Sequence, residues 1–327
     1  MWLLLRPGVQ PQGVLAWLEA QGLGAQLRSL GERWIIEVEV SDGQAEALLR
    51  LEEVEKVFVS ERAMPLVSSW QGGIRLGTWQ RGEELLWIAG PCSVENRQSL
   101  LQLAEALKAL GVQALRGGAF KARTSPYSFQ GLGAQALDWL REARALTGLP
   151  ICVEILSETH LPLYADVDLI QIGARNMDNY WLLRAVGELG RPVLLKRNPQ
   201  ATVEEWLLAA EYLLLHGTPW VLLCERGIRT FERSLRYTLD VGAIPVVAAQ
   251  TALPCIADPS HAAGHWRYVT PLALAAIAAG AEGLLVEVHP DPLTAQSDAA
   301  QQLTLSQFAL LKEKASALAA QPSGRLP

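Results

Sequence analysis

Apolar residues in this chain fall into short dense runs separated by stretches at helical spacing, and most runs finish on a charged or metal-capable residue. Leu86–Cys92 closes on Gly90-Pro91-Cys92, Gln113–Gly118 carries Leu115-Arg116, Leu169–Gly173 leads into Ala174-Arg175, and Pro192–Lys196 closes on Lys196. Val221–Arg226 closes on Cys224-Glu225-Arg226, Cys255–Asp258 leads into Pro259-Ser260-His261, and Gly283–Glu287 leads into Val288-His289. With Ile151–Ile155 these make about eight strand-like segments, the number a closed parallel barrel requires. Runs as continuous as Val193-Leu194-Leu195 suit strands covered on both faces. Helical patterns lie between them. Leu100, Leu103, Leu107 and Leu110 share one face before Gly111, and Thr202 with Glu205 predicts a capping box ahead of Trp206 and Leu207. An open doubly wound sheet is the competing architecture, but no glycine-rich dinucleotide fingerprint follows the first of these strands. The pattern predicts an α/β fold, a (β/α)8 barrel over residues 66–327, with a last helix over Leu305–Ala319 and a frayed tail over Gln321–Pro327.

Residues 1–65 read differently. Trp2–Leu5 predicts a strand, Gly13–Gln21 a helix with Val14, Leu15, Trp17 and Leu18 at helical spacing, and Ala25–Leu30 with Trp34–Val40 a strand pair around Gly31-Glu32. Ser41 and Gln44 form a weak capping box before a helix over Ala45–Leu51, and Val54–Val59 is the last strand. That order is the split pattern of a small α+β ferredoxin-like domain. Such a module serves as a ligand sensor, an oligomerisation patch or a structural cap. The junction, residues 63–85, has turns at Ser68-Ser69 and Gly72-Gly73, and Ile74–Thr78 predicts a short strand closing the barrel floor.

Composition narrows the class. The 327 residues suit one barrel of about 250 residues plus one small domain. A chain that is 50% hydrophobic and 19% charged is not a disordered one. A net charge of -6 argues against a nucleic-acid partner, and no stretch reaches the roughly 18 apolar residues of a membrane span. Cys92, Cys152, Cys224 and Cys255 form no Cys-x-x-Cys pair and read as buried, reduced thiols. The apolar start, Met1–Leu5, is too short for a signal peptide, so a cytoplasmic protein is expected.

Two constellations stand at the predicted strand ends. Cys92, His261, Glu287 and Asp298 offer a thiolate, an imidazole and two carboxylates that could enclose one divalent ion. Each has a plain alternative: Cys92 a small buried hydrophobe, His261 a helix cap, Glu287 a partner of His289. The second set is cationic: Arg116, Lys121, Arg123, Arg175, Lys196 and Arg226, with the hydroxyls of Thr124 and Ser125 beside Arg123. Six cations at one mouth would repel each other without an anion, and arginine suits bidentate grip on phosphate or carboxylate. Lys196, after three apolar residues, reads either as an anion contact, which is preferred, or as a Schiff-base lysine.

At these residues the chain resembles the metal-dependent 3-deoxy-7-phosphoheptulonate (DAHP) synthases of type I. The matching stretches include Gly90-Pro91-Cys92-Ser93, Leu115-Arg116-Gly117-Gly118-Ala119-Phe120-Lys121, Arg123-Thr124-Ser125-Pro126-Tyr127, Ile172-Gly173-Ala174-Arg175-Asn176, Cys224-Glu225-Arg226-Gly227, Asp258-Pro259-Ser260-His261 and Val286-Glu287-Val288-His289-Pro290. The small amino-terminal domain is similar to the one that precedes the barrel in one branch of that family. The resemblance implies condensation of phosphoenolpyruvate with erythrose 4-phosphate in the shikimate pathway. It implies a divalent metal (manganese, iron, cobalt or zinc) on Cys92, His261, Glu287 and Asp298. Phosphoenolpyruvate would lie on Arg116, Lys121, Arg175, Lys196 and Arg226 beside the Ala174 backbone, with the sugar phosphate on Arg123 and Thr124. Lys121 is the implied proton donor to the new alkoxide and His261 the runner-up. A homotetramer and inhibition by tyrosine or phenylalanine through residues 1–65 are implied in the same way. One departure is Lys121-Ala122-Arg123-Thr124, where the family carries proline at the position of Ala122. It shifts the stretch towards 3-deoxy-8-phosphooctulonate synthase, which uses arabinose 5-phosphate; that enzyme is the alternative reading, and a non-catalytic barrel sensor is a third.

Overall fold

The computed structural model describes residues 1–30, 33–40, 47, 48, 50–58, 63–123 and 125–319. The predicted Gly31-Glu32 turn, the Ser41–Gln44 cap, Ala45, Glu46 and Leu49 of the predicted Ala45–Leu51 helix and the Gln321–Pro327 tail lie outside them. Two compact units are present, Met1–Gly72 with Gln250–Ala252, and Gly73–Ala249 with Leu253–Pro327.

In the first unit the strands are β1 (Trp2–Leu5), β2 (Ala25–Leu30), β3 (Arg33–Val38) and β4 (Val54–Phe58), with helix α1 over Gln12–Ala20 and a short α2 over Pro65–Ser69. The sheet order is β2-β3-β1-β4. Both neighbours of β1 run antiparallel to it. This is the ferredoxin-like strand order the sequence predicts. Alternation sets the core: Leu3, Leu5, Ile36 and Val38 turn to the face that receives Val14 and Leu18 of α1, and Leu48 joins them.

The second unit is the barrel. Its eight strands are β7 (Leu86–Gly90), β8 (Ala114–Arg116), β9 (Ile151–Ile155), β10 (Leu169–Ile172), β11 (Val193–Lys196), β12 (Val221–Glu225), β13 (Cys255–Ala257) and β14 (Gly283–Glu287), each hydrogen-bonded to the next with β14 closing on β7. All pairings are parallel. Every residue of β7, β12 and β14 is buried, which explains their unbroken apolar runs. The crossover helices are α3 (Arg97–Ala109), α4 (Ala134–Thr147), α5 (Tyr180–Glu188), α6 (Val203–Leu215), α7 (Ala243–Gln250), a short α8 (Pro259–Ala263), α9 (Trp266–Ala278) and α10 (Leu305–Ala319). Leu100, Leu103 and Leu107 of α3 are buried, as their spacing predicts. The capping box on α6 is complete, with Thr202 accepting from the Glu205 amide and Glu205 accepting from the Thr202 amide. Trp206 then donates its indole N–H to the Leu195 carbonyl at 3.1 Å, fixing α6 on β11.

The predicted strand at Ile74–Thr78 is instead one arm of a hairpin, β5 (Arg75–Leu76) with β6 (Trp79–Gln80), separate from the barrel sheet. It sits at the amino ends of the barrel strands. The Arg81 guanidinium forks onto Glu282, just before β14, at 2.6 and 2.7 Å. A β-carbon at Gly77 would stand 2.5 Å from Pro150, just before β9.

Thr202→Ala removes the reciprocal cap from α6. The expected cost is about 1 kcal/mol of unfolding free energy, read as a lower urea midpoint with an unchanged slope.

Candidate active site

The carboxyl ends of the barrel strands hold two zones, a dry floor and an open cationic rim. On the floor, Cys92 follows β7, Glu287 ends β14, and Asp298 lies in the loop beyond it. One ligand-capable atom from each lies within 4.8 Å of the others. Cys92 Sγ is 3.3 Å from Asp298 Oδ2. His261, in the first turn of α8, brings Nε2 to 3.6 Å from Glu287 Oε1. Three of the four predicted metal ligands thus cluster, and His261 adjoins them at Glu287. Glu287 is wholly buried, and its Oε1 has no hydrogen-bond partner. That oxygen is 3.1 Å from Arg116 Nη1, but the pair is not aligned as a hydrogen bond. A buried carboxylate oxygen left in this state is costly unless a cation completes its surroundings. His289, the alternative partner of Glu287, is 3.9 Å from Glu95 instead. Burial first, and then the facing Glu287 carboxylate, push the Cys92 thiol up to about 12. The Lys121 charge pulls it down without outweighing burial, so ionising the thiol takes a further positive charge. A soft thiolate, an imidazole and two carboxylates around the unpartnered Glu287 Oε1 fit a divalent transition metal.

His261 is oriented from behind. Its Nδ1 lies 2.7 Å from Asp258 Oδ2, so the proton belongs on Nδ1 and Nε2 is left free to face Glu287. The same carboxylate accepts from Lys196 Nζ at 2.5 Å, and its Oδ1 caps the His261 backbone N–H at 2.9 Å. Burial, aided by the Lys196 charge, holds the imidazole below its ordinary range despite the pull of Asp258. Asp258 stays ionised: burial opposes its charge, but His261, Lys196 and Arg116 outweigh it. Sequence reasoning passed over Asp258 because Asp-Pro at a strand end reads as an ordinary helix cap, which it also is.

Above the floor opens a cavity of about 350 Å³ lined by Lys121, Arg123, Ala174, Arg175, Lys196, Arg226 and His261, among others. Arg116 is not on that wall; it sits 4% exposed against Glu287. Lys121 turns inward, donating to Cys92 Sγ at 3.0 Å and to the Cys92 carbonyl at 3.2 Å. Burial alone would depress its ammonium, but Cys92, Glu154 and Glu287 more than compensate and hold it above its ordinary range. Arg226 is 5% exposed, stands over the Tyr237 ring at 4.2 Å and leaves Nη1 without a hydrogen-bond partner. Arg175 donates to the Ala122 carbonyl at 2.9 Å, so the loop bearing the departure from the family pattern is tied to the rim. Thr124 lies outside the described residues.

The expected mutual repulsion of the strand-end cations is only partly present. Carboxylates from other strand ends and from the loop after β12 pair them: Arg116 with Glu287, Lys196 with Asp258, and Arg197 with both Glu225 and Asp240. The rim residues Arg229 and Arg236 were not singled out from sequence, because they lie in a long loop after β12 without strand-end spacing. Gly173 has a packing reason to be glycine, since a β-carbon there would stand 1.9 Å from Glu154 Oε1.

This is the site of a (β/α)8 enzyme that combines metal-capable ligands with anion-binding cations at one mouth. The chain belongs to the DAHP synthetase I family, whose pattern it matches over residues 66–321. It is 51% identical over 233 residues to the phospho-2-dehydro-3-deoxyheptonate aldolase of Thermotoga maritima, covering 71% of this chain and 69% of that one. The crystal structure of a Thermotoga maritima enzyme of that name superposes with a TM-score of 0.77 at 42% identity, covering 97% of this chain and 96% of that one. A 2-dehydro-3-deoxyphosphooctonate aldolase from Bradyrhizobium diazoefficiens is 32% identical over 240 residues, 68% of this chain and 84% of its own.

Asp258→Ala leaves Lys196 buried without its counter-charge. It is expected to lower unfolding free energy by about 3–5 kcal/mol, measured by urea denaturation monitored through tryptophan fluorescence.

Proposed function

We infer that this chain is a 3-deoxy-7-phosphoheptulonate synthase, joining phosphoenolpyruvate to erythrose 4-phosphate with release of phosphate. The observation that carries the reading is the convergence of Cys92, Glu287 and Asp298 beneath a cavity lined by Lys121, Arg175, Lys196 and Arg226. The identity of 51% to a phosphoheptonate enzyme, against 32% to a phosphooctonate one, favours the four-carbon sugar.

Cys92, His261, Glu287 and Asp298 would hold the divalent ion, which when bound supplies Lewis-acid polarisation of the aldehyde oxygen. The chain's own residues do the rest. Arg226, with Nη1 unpartnered, and Lys196 take the anionic groups of phosphoenolpyruvate together with Arg175, and Arg116 adds its charge from the floor, against Glu287. Arg123 and Thr124 take the phosphate of the sugar. Held in this way, C3 of phosphoenolpyruvate faces C1 of the aldehyde, and attack forms the new carbon–carbon bond. Lys121 Nζ, charged and already against Cys92, gives a proton to the alkoxide oxygen formed at C1. His261 is the second candidate, weaker because its imidazole is held neutral. Water adds at C2, and loss of inorganic phosphate leaves the 2-keto group of the product.

A small sheet unit ahead of the barrel gives a reason to propose control by tyrosine or phenylalanine through residues 1–65, in a cytoplasmic homotetramer. No described helix is long and apolar enough to cross a membrane. An inhibitor series on the full chain and on residues 66–327 is expected to show inhibition only of the former; equal rates throughout would remove that part.

The decisive assay follows phosphate release after metal stripping. Activity is expected only on return of a divalent ion, and erythrose 4-phosphate is expected to exceed arabinose 5-phosphate by at least about tenfold in kcat/KM. Cys92→Ala is expected to remove activity while leaving the fold intact by circular dichroism. Turnover of the stripped enzyme, or preference for the five-carbon sugar, would reject the assignment.

A further inference from the structure

Behind the floor of the site runs a hydrogen-bonded chain that belongs to neither constellation. Gln301 is 2% exposed, in a segment that returns along the outer side of β14. Its amide Nε2 donates to Glu287 Oε2 at 2.7 Å, while its Oε1 accepts from Arg236 Nη1 at 2.9 Å. The same Arg236 nitrogen is 3.6 Å from Asp298 Oδ1. Arg236 also lines the cavity, and its side chain is 42% exposed. One guanidinium at the rim therefore touches Asp298 directly and reaches Glu287 through a single buried amide.

The geometry of this segment is tightly specified. Asp298 is the only non-glycine with positive φ among the described residues, at 47°. A left-handed aspartate persists where its surroundings over-determine it. The Gln301 backbone N–H donates to the Asp298 carbonyl at 3.2 Å. Next in sequence, Gln302 accepts from the Cys92 backbone N–H at 3.1 Å and donates to the Ser297 carbonyl at 2.9 Å. The Leu303 backbone N–H donates to the Glu287 carbonyl at 2.9 Å. Two successive buried amides thus secure the backbone or side chain of Cys92, Glu287 and the Asp298 loop.

We propose that Gln301 is a positioning residue that couples anion binding at Arg236 to the divalent-ion site by holding Arg236 and Glu287 in one chain. The inference rests on the reading of Cys92, His261, Glu287 and Asp298 as the metal ligands. With no anion at the rim, Arg236, held in place by Gln301, competes with an ion for Asp298, while the Gln301 amide steadies Glu287. A phosphate-bearing ligand that draws the guanidinium outward releases Asp298 to the ion and leaves Glu287 held by Gln301. Linkage then requires the reverse as well: the ion tightens the anion.

The test measures Mn²⁺ affinity of the full-length, metal-stripped protein by electron paramagnetic resonance, with and without inorganic phosphate. Wild type is expected to bind Mn²⁺ about 5- to 10-fold more tightly with phosphate present. Gln301→Leu is neutral and of similar length. It is expected to weaken Mn²⁺ binding about 10- to 100-fold, the usual effect of losing an outer-shell partner, and to abolish the phosphate effect. Arg236→Lys keeps the charge but not the fork, and is expected to abolish the phosphate effect while leaving the protein folded. Simple attraction between phosphate and the ion would survive both substitutions, so a phosphate effect retained in either variant overturns the proposal. Mn²⁺ binding by wild type that ignores phosphate overturns it too, without touching the metal site. Failure of wild type to bind Mn²⁺ at all removes the metal reading and this inference with it.

Discussion

Buried opposite charges at the carboxyl ends of the barrel strands set the terms for the rest of this molecule. Lys196 and Asp258 are 4% and 0% exposed, Arg116 and Glu287 5% and 0%. Ions this deep are tolerated only in good geometry, because their attraction must offset several kcal/mol of lost hydration for each. The closed sheet supplies the geometry. The closed parallel strands bring Lys196 of β11 to Asp258 after β13 and Arg116 of β8 to Glu287 of β14. An open sheet would spread the same residues along an edge, where water would screen them.

The charge pairing also explains the division of the mouth. On the floor, Glu287 Oε1 is left without a hydrogen bond although Arg116 lies against it. At the rim, Arg226 Nη1 is the group left over. In the proposed reading, a divalent ion below and phosphorylated anions above would meet these two open positions. Asp258 joins the two, because one carboxylate orients His261 for the floor and fixes Lys196 for the rim. Dry surroundings raise the strength of every such contact and hold the groups in place before substrate arrives.

Much of this was legible in the residues themselves. Continuous apolar strands, the Leu100–Leu103–Leu107 stripe and the Thr202–Glu205 box are local signals, and the elements form where they predict. At Arg75–Gln80 the position at the amino ends of the barrel strands is legible but the hairpin is not, because a short apolar run carries no statement of its partner and pairing is a tertiary choice. The strand-end residues could be gathered because a barrel delivers all its strand ends to one place. Loop residues have no such rule. Arg236, Gln301 and Gln302 read as ordinary polar positions, yet their side chains converge behind the floor across sequence separations of 65 between Arg236 and Gln301 and 210 between Cys92 and Gln302.

By itself, then, the sequence determined the periodicities, hence the two folds in their order, and the side-chain chemistry at the strand ends. It also carried the long motifs that place the chain in its family. Only the tertiary structure decided which charges neutralise each other, that Arg116 lies on the floor and not on the cavity wall, and that Asp258 serves both His261 and Lys196. The reason is physical. Periodicity is a property of neighbouring residues, whereas the partner of a buried ion is fixed by distances across the barrel that no local pattern encodes.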